Sequence, residues 1–517
     1  MKNRYLFVLP ILFFLNCTSV KQHNEQLENT IPVEKLKDDV AFIYKKFQKL
    51  HPNLYWYIDK SKLDFKFDSL SQSITKPLKS FEFYKKIAPV IAEIRQGHSG
   101  ISPDAKQQTK AETKALIKKG TGPFSQFEFE NVEDKMVVVK NNSYNKKIKI
   151  GSEVVAINGK KTNEFIKQYS TFFASDGYNT TFKKSKTVKI FSKIYTYEND
   201  IQDSLFFDFK FNDSIKTVCI HRKNMDAANA KIKPVKTIIG KELRQKYKIE
   251  GYNPLTKLYN RNLNFMAQDS SIAVLKIRSF SVGNSDIFYE NAFKKIKKFQ
   301  SKTLIIDLRD NPGGRLSEIA DLYGYLADSS FVFIDTPQVV SKTSLFSINY
   351  FAGPWYLKPF QLAFSPLFYG YLYFKVHRND AGQFVYNTSA TKLKPKKADA
   401  FEGKIYVLIN GGSFSASCIL SSNLKGSKRA FFVGQETGGA YNGTVAGQMP
   451  IVKLPHSKLK ARIGLALIAP HFKTNLEGRG IFPDQEILPT IEDKIKEIDP
   501  EMNWILTKIK LENPQNK

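Results

Sequence analysis

Four short apolar runs in the second half of the chain constrain the fold most. They are Ile272–Ile277, Thr303–Leu308, Ile405–Ile409 and Ala430–Gly434. Helical patterns lie between them at Ile287–Phe299 and Leu316–Leu326. Near-continuous apolar runs are typical of strands buried on both faces, and such strands require helices that cover the sheet. The sequence therefore predicts an α/β core over residues 269–495.

The rest of the 517 residues divides into segments with different patterns of apolar residues. Apolar residues recur at helical spacing from 31 to about 95, and short β-rich runs follow from about 120 to 225. At roughly 100–200 residues per domain, we expect a multi-domain α/β protein. We predict a signal peptide at 1–17, an N-terminal helical domain at 18–115, a β domain at 116–230, a basic connector at 231–268, the α/β core at 269–495 and a C-terminal tail at 496–517.

The first residues predict export. Lys2 and Arg4 precede the apolar stretch Tyr5–Leu15, which is shorter than the roughly 20 residues that a membrane span needs but suits a secretory signal. Cys17 follows almost at once and is itself followed by polar residues, a pattern that resembles a bacterial lipoprotein signal. That resemblance implies that Cys17 becomes the lipidated first residue of the mature chain, with a cell-envelope location in the periplasm or outer membrane. The alternative is a short uncleaved anchor, which also exports the protein.

Charge and cysteine content exclude several function classes. The chain has 79 Lys and Arg against 49 Asp and Glu, a net charge of +30, but the lysines are scattered over its whole length. Zinc-finger spacing and an RNA-binding aromatic signature are both missing, so we expect no nucleic-acid partner. Cys219 and Cys418 alone do not make a disulfide framework in the mature chain. The seven histidines are dispersed, so we expect no metal site and no cofactor.

The segment Ile150–Gly159 reads as a turn, a strand and a second turn. It resembles the G-D-x-I-x-x-I-N-G segment of PDZ domains, whose fold captures extended peptides by strand addition. The resemblance implies a PDZ-like domain at 116–230, and another small β-barrel with a hairpin here is the alternative.

Residues 346–374 contain 12 aromatic side chains in 29 positions, where the overall 13% would give about four. Gly353-Pro354, Lys358-Pro359 and Pro366 interrupt the stretch, which argues against a membrane helix. A lid over an apolar pocket and a lipid-facing loop are both open, and an aromatic satellite core is the favoured interpretation.

Two segments of the core carry the pattern of a reactive site. In residues 304–314 a buried strand runs into Pro312-Gly313-Gly314, where the bare backbone lets N–H groups approach a ligand oxygen. In residues 405–417 a strand and a Gly pair lead to Ser415-Ala416-Ser417, which opens a helix through about Lys425. A serine at a strand-to-helix turn is lifted out of the sheet, and the N–H after it points free. The alternatives are Ser417 as the reactive serine and a helix N-cap role for Ser415.

These segments resemble the C-terminal processing (tail-specific) peptidase family of serine proteases, together with its tricorn-like branch. The order of N-terminal helices, PDZ-like insert and catalytic core extends the resemblance over about residues 30–490. The resemblance implies that Ser415 is the nucleophile. It also implies an oxyanion hole formed by the Ala416 N–H and that of Gly313 or Gly314.

The general base distinguishes the two branches of this family. The processing-peptidase branch takes a Lys from a Gly-rich loop, but the matching residues 434–443 contain none, and Lys425, Lys428 and Lys453 lie outside that loop. The tricorn-like branch takes a His from a D-G-H-T/S turn, and Gln96-Gly97-His98-Ser99 resembles it. The resemblance implies that His98 is the base, and an imidazole titrates near pH 6.5, so it can accept and return a proton at neutral pH.

The same branch carries a Glu in an E-G-x-G-V-x-P-D segment, which Glu477–Asp484 matches. The resemblance implies that Glu477 orients His98, with Ser99 as a candidate helper. We therefore predict an exported serine endopeptidase that hydrolyses envelope or extracellular proteins. A non-catalytic binding protein for apolar ligands on the same core, and an esterase or amidase using the same serine, are the alternatives.

Overall fold

The computed structural model describes residues 19–224, 241–254, 256–266, 269–351 and 353–512. The predicted signal peptide and Cys17 lie outside these described residues. None of the described helices combines the length and the hydropathy that a bilayer crossing needs.

The structure is a multi-domain α/β fold, as predicted. The described helices are Val20–Glu28, Val33–Leu50, Lys60–Gln72, Ser80–Ala92, Lys110–Lys118, Thr162–Tyr169, Thr181–Lys189, Phe191–Asn199, Lys241–Glu250, Ser285–Lys298, Leu316–Gly324, Lys358–Lys375, Ala416–Gly426, Ile491–Ile495 and Pro500–Glu512. Short 3₁₀ turns lie at Phe124–Gln126, Ser170–Phe172, Ser344–Ser347, Trp355–Leu357 and Ser389–Thr391.

A six-stranded sheet forms the core. Its strands in spatial order are Arg261–Met266, Asp269–Ile277, Thr303–Asp307, Lys404–Ile409, Phe431–Gly434 and Gln485–Glu486. The first pair is antiparallel and the others are parallel. The four predicted apolar runs are the adjacent inner strands, which confirms the α/β core.

The core sheet gains residues on both sides of 269–495. Strand Arg261–Met266 lies inside the segment that was predicted as a connector. Helix Pro500–Glu512 lies in the predicted tail and buries Ile505 and Ile509 against the sheet. Strand 261–266 extends the sheet at one edge, and the helix covers part of one face.

An antiparallel sheet occupies residues 127–221. Its strands are Phe127–Val132, Lys135–Asn141, Glu153–Ile157, Ser204–Phe211 and Ser214–His221, with Lys160–Lys161 paired to the third. The predicted turn, strand and turn at Ile150–Gly159 are present. The PDZ-like identity of this unit stays a prediction. Its apolar side chains and those of the N-terminal helices form one hydrophobic cluster.

Smaller sheets connect the N-terminal part to the core. Strand Gly100–Ser102 pairs with Lys460–Arg462, which also pairs with Ile451–Lys453. A five-stranded sheet joins Val376–Arg378, Phe384–Tyr386, Gln338–Val339, Ala466–Ile468 and Thr444–Ala446, and Tyr252–Asn253 pairs with Leu258–Tyr259. The pairing of Gly100 with Arg462 holds the turn around His98 against the core.

The aromatic stretch departs from one expectation and meets another in part. Helix Lys358–Lys375 runs on through Pro366, where the Ser365 hydroxyl donates a 2.9 Å hydrogen bond to the Leu362 carbonyl, the acceptor that the missing proline N–H leaves open. The satellite-core interpretation holds for Phe368 and Tyr369, which pack against the core, but not for Phe364 and Phe374, which are 62% and 80% exposed.

Candidate active site

The two reactive segments meet because their strands are parallel neighbours. Thr303–Asp307 and Lys404–Ile409 pair in register, with Asp307 opposite Leu408, so both strands end at the same edge of the sheet. The crevice at that edge is where open α/β sheets place their functional groups. There the Phe414 N–H donates to the Asn311 carbonyl at 2.9 Å, which joins the elbow to the Pro-Gly-Gly turn.

Ser415 lies at the turn between strand and helix with φ +59° and ψ −120°. Non-glycine residues rarely adopt this conformation, which costs about 1–3 kcal/mol and persists only where the surroundings impose it. Here the Ser413 hydroxyl fixes the turn by donating to the Leu308 carbonyl at 2.7 Å. Among the described residues, the Ser415 side chain caps no backbone N–H of the helix that it precedes, which argues against the capping alternative.

The side chains that follow Ser415 in the helix donate hydrogen bonds to backbone carbonyls. Ser417 is buried, and its hydroxyl donates to the Asn311 carbonyl at 3.0 Å. Cys418 is also buried and donates to the Ser413 carbonyl at 3.3 Å. Burial raises the pKa of the Cys418 thiol to about 12, so the thiol stays protonated at neutral pH. Of this group, Ser415 is the residue placed to react.

His98 is brought to Ser415 from 317 positions away in the chain. Its Nε2 lies 2.8 Å from Ser415 Oγ, and its Nδ1 lies 3.0 Å from Thr444 Oγ1. The ring stacks on Phe414 with centroids 4.8 Å apart, which holds its plane. For Nε2 to accept the serine proton, the neutral ring must carry its hydrogen on Nδ1 and donate it to the Thr444 oxygen.

The pKa of His98 is lowered to about 3, first by burial and then by the positive charges of Arg462 and Lys186. The imidazole is therefore neutral, and able to accept a proton, throughout the neutral pH range. The same environment opposes the imidazolium that forms when the ring takes that proton. A nearby negative charge would offset this cost.

Asp176 supplies a carboxylate beside this pair. It is fully buried, and its Oδ1 accepts a 2.7 Å hydrogen bond from the Gly97 N–H, next to His98. Burial raises the pKa of Asp176 to about 6, while hydrogen bonding from Gly97, Thr444 and Ala440 acts in the opposite direction. Within the described residues, Asp176 Oδ2 has no hydrogen-bond partner.

Glu477 does not reach His98. Its side chain is exposed, and its Oε1 accepts a 2.7 Å hydrogen bond from Asn442 Nδ2, two positions before the threonine that occupies Nδ1 of the histidine. The candidate helper Ser99 is buried, and its hydroxyl has no hydrogen-bond partner among the described residues.

The backbone around Ser415 is arranged for an oxyanion. Gly313 has φ +97°, and a side-chain carbon on it would lie 2.7 Å from both Ala416 N and Ser415 Cβ, so only glycine permits this approach. The Gly313 N–H, however, donates to Asn311 Oδ1 at 2.9 Å. No hydrogen bond between described residues uses the N–H of Gly314 or Ala416. The N–H groups of Gly314 and Ala416 are therefore available to donate to an oxyanion.

The lysines considered from the sequence lie apart from Ser415. Lys425 forms an ion pair with Asp484, and Lys428 and Lys453 are exposed. Sequence reasoning missed Lys186, whose Nζ lies 4.9 Å from the centroid of Phe182, the ring stacked on Phe414. Burial, together with the charge of Arg462, lowers the pKa of Lys186 to about 8.

No local motif identifies Asp176, Thr444 or Lys186. Asp176 precedes a glycine and Thr444 follows one, which are common arrangements in turns. The described residues contain no group of three His, Cys, Asp or Glu side chains that could hold a metal ion.

Comparisons with known proteins bear on the family and the fold. Residues 271–487 match the model of Peptidase family S41. The crystal structure of mature CPAF superposes with a TM-score of 0.58 at 14% identity, covering 94% of this chain and 99% of that one. The structure of mature CPAF in complex with lactacystin gives a TM-score of 0.58 at 15% identity, covering 92% and 98%. No curated protein matches the chain.

At these identities the structural likeness shows the fold alone, and it extends over nearly all of both chains. The family match is independent of that likeness and spans the segment that contains both Gly313-Gly314 and the Ser415 elbow. The core of the chain, residues 271–487, is that of a serine-type peptidase of family S41, the C-terminal processing peptidase family.

Proposed function

We propose that this peptidase cleaves internal peptide bonds of envelope or extracellular proteins with Ser415 as nucleophile and His98 as general base. The observation that carries the proposal is the 2.8 Å contact between His98 Nε2 and Ser415 Oγ at a strained strand-to-helix turn. This pair supports membership of the tricorn-like branch. Labelling and peptide hydrolysis by Ser415→Ala test the proposal.

The chemistry follows the roles of these groups. Ser415 Oγ attacks the peptide carbonyl carbon while its proton moves to His98 Nε2. The negative charge on the carbonyl oxygen is stabilised by the N–H groups of Ala416 and Gly314. His98 then returns the proton to the leaving amine, which breaks the C–N bond and leaves an acyl-enzyme. Water, deprotonated by the same imidazole, then attacks the ester carbonyl; the C–O bond to Ser415 breaks, and His98 returns the proton to Ser415 Oγ.

We propose Asp176 and Thr444, rather than Glu477, as the groups that support the charged imidazole. Before and after proton transfer, the Nδ1–H of His98 donates to Thr444 Oγ1, and the threonine hydroxyl is free to donate to Asp176 Oδ2. The 3.0 Å contact at Nδ1 and the lack of a hydrogen-bond partner for Oδ2 among the described residues support this order. Asp176 and Thr444 are thus positioning residues because they act through His98.

This arrangement predicts that the loss of kcat/KM at acidic pH is caused by protonation of the Asp176 carboxylate. Because the pKa of Asp176 is raised to about 6, its negative charge is lost as the pH falls through that value, and with it the support for imidazolium. We expect kcat/KM to fall below about pH 6. Asp176→Asn should show a lower kcat that no longer changes through that range.

Thr444→Val should lower kcat in the same way, and Thr444→Ser should restore it because the hydroxyl returns. The matched control is Glu477→Gln, which should keep most of the activity and should still lose kcat/KM below about pH 6. An Asp176→Asn enzyme that still loses kcat/KM below about pH 6 would contradict this assignment.

We also propose that the protein is exported and lipid-anchored. The support is the order of Lys2 and Arg4, the apolar stretch Tyr5–Leu15 and Cys17. Cys17→Ser should move the protein from the membrane fraction to the soluble envelope fraction. Recovery of the wild type from the cytoplasm would refute export.

A further inference from the structure

Helix Lys358–Lys375 presents an unbroken apolar stripe to solvent. We define the outer stripe as the residues spaced four, three, four and three positions apart along one face, with their exposed fractions: Phe360 68%, Phe364 62%, Leu367 74%, Tyr371 57% and Phe374 80%. This spacing aligns side chains along a helix, so the stripe runs for about 21 Å at 1.5 Å per residue. A contiguous exposed apolar face typically marks a surface that contacts a protein partner or a membrane.

The C-terminal half of the helix packs on the core by its other side. Leu372 is buried, Phe346 packs against Tyr369 with ring centroids 5.0 Å apart, and Phe368 packs against Tyr350 at 4.9 Å. The helix is therefore seated on the core by its inner side. Its outer stripe is exposed because of the orientation of the helix.

In the chain segment that contains the outer stripe, the charged side chains are all positive. Residues 336–379 contain no Asp or Glu, whereas 49 among 517 would place about four in a segment of this length. Lys342 Nζ lies 4.6 Å from the Tyr373 ring centroid, and Lys375 Nζ lies 5.8 Å from that of Tyr371. Lys358 donates to the Phe351 carbonyl at 2.6 Å. Within the described residues, none of these lysines pairs with a carboxylate.

The apolar stripe and the lysines beside it favour an anionic bilayer over a second copy of the chain. A second copy docked face to face would bring lysine against lysine with no carboxylate between them, which is unfavourable. An anionic bilayer offers apolar chains for the stripe and phosphates for the lysines, whose long stems reach toward headgroups. Tyrosine and other aromatic side chains are also favoured at that depth.

We propose that the outer stripe binds the surface of an anionic phospholipid bilayer, with helix Lys358–Lys375 lying in the plane of the interface. At 18 residues the helix is shorter than the roughly 20 that a span requires, and one face is committed to the core. The proposal goes beyond the peptidase activity and does not rest on it. It gives the core a contact with the membrane that is separate from the lipid on Cys17.

The test uses the full chain carrying Cys17→Ser, so that no lipid anchor contributes. It is sedimented with vesicles of phosphatidylcholine alone, or of phosphatidylcholine mixed with phosphatidylglycerol. We expect about tenfold or more binding to the anionic vesicles, because each lysine near such a surface adds attraction. High salt should reduce the bound fraction because it screens that attraction.

The deciding variant combines Phe364→Ser, Leu367→Ser and Phe374→Ser, which should reduce vesicle binding about tenfold or more, since burial of apolar area drives insertion. The matched control replaces three equally exposed apolar residues elsewhere, and it should bind like the parent: Phe65→Ser, Ile215→Ser and Leu511→Ser, at 71%, 60% and 73% exposure.

Both triple variants should hydrolyse a soluble peptide at the parental rate, which separates failure of this proposal from failure of the proposed active site. Equal vesicle binding by the stripe variant and the parent would overturn the proposal. So would a concentration-dependent dimer in analytical ultracentrifugation that the stripe variant loses while the parent ignores anionic vesicles, because a second copy would then cover the stripe.

Discussion

Ser415→Ala should abolish both labelling by a fluorophosphonate and hydrolysis of a peptide substrate. Removal of the nucleophile from a comparable hydrolytic triad costs about 10⁶-fold in kcat, and the remaining rate comes from the oxyanion site and substrate binding. The substitution removes one hydroxyl from a half-buried position and leaves the backbone in the same conformation. We therefore expect the thermal unfolding midpoint to stay close to that of the wild type.

The matched control for Ser415→Ala is Ser417→Ala, two positions along the same helix. Its hydroxyl donates to the Asn311 carbonyl, so its loss should lower the free energy of unfolding by about 1 kcal/mol. Labelling should persist. Equal labelling of wild type and Ser415→Ala, or loss of labelling in Ser417→Ala alone, would show that the nucleophile has been misassigned.

The elements that could be predicted from the sequence are those with a local signal. The apolar runs at Thr303–Leu308 and Ile405–Ile409 are nearly continuous because both faces of each strand are buried. Gly313 and the elbow follow those strands directly, so a prediction of parallel neighbouring strands already brings the two turns together. Ser415 was predicted from the strand-to-helix turn after a Gly pair, and His98 from the resemblance of its turn to that of the tricorn-like branch.

The groups around His98 could not be predicted, since their roles exist only in three dimensions. Asp176 meets Gly97 across 79 positions, and Thr444 meets His98 across 346. Neither residue lies in a distinctive pattern. Glu477 shows the converse case: its segment matches a motif, but the turn that contains it leaves the side chain exposed and bonded to Asn442.

The aromatic helix shows how a correct rule can mislead. Proline removes a backbone donor, which predicts a break at Pro366. The structure keeps the helix because Ser365 supplies the missing donor to Leu362 from the adjacent position. The stripe spacing from Phe360 to Phe374 was present in the sequence as a helical periodicity, and it indicates the correct element once the proline is set aside.

His98→Ala should lower kcat/KM by about 10²–10⁴-fold, because a positioned general base is lost while the nucleophile and the oxyanion donors remain. The structure revises the expected pH dependence of this base. With its pKa lowered to about 3 by burial, Arg462 and Lys186, the imidazole itself does not titrate near pH 6–7, so the loss of kcat/KM expected there is caused by protonation of Asp176.

The lysine nearest to this site provides the most demanding control for His98. Lys186→Met removes one of the two positive charges that face the imidazole, so it should raise the pKa of His98 and keep substantial activity. Lys425→Ala, Lys428→Ala and Lys453→Ala should keep substantial activity as well, because none of these side chains hydrogen-bonds to Ser415. An inactive Lys186→Met enzyme beside an active His98→Ala enzyme would place the chain with the Ser–Lys peptidases. The 2.8 Å contact between His98 and Ser415 would then be a structural hydrogen bond with no part in proton transfer.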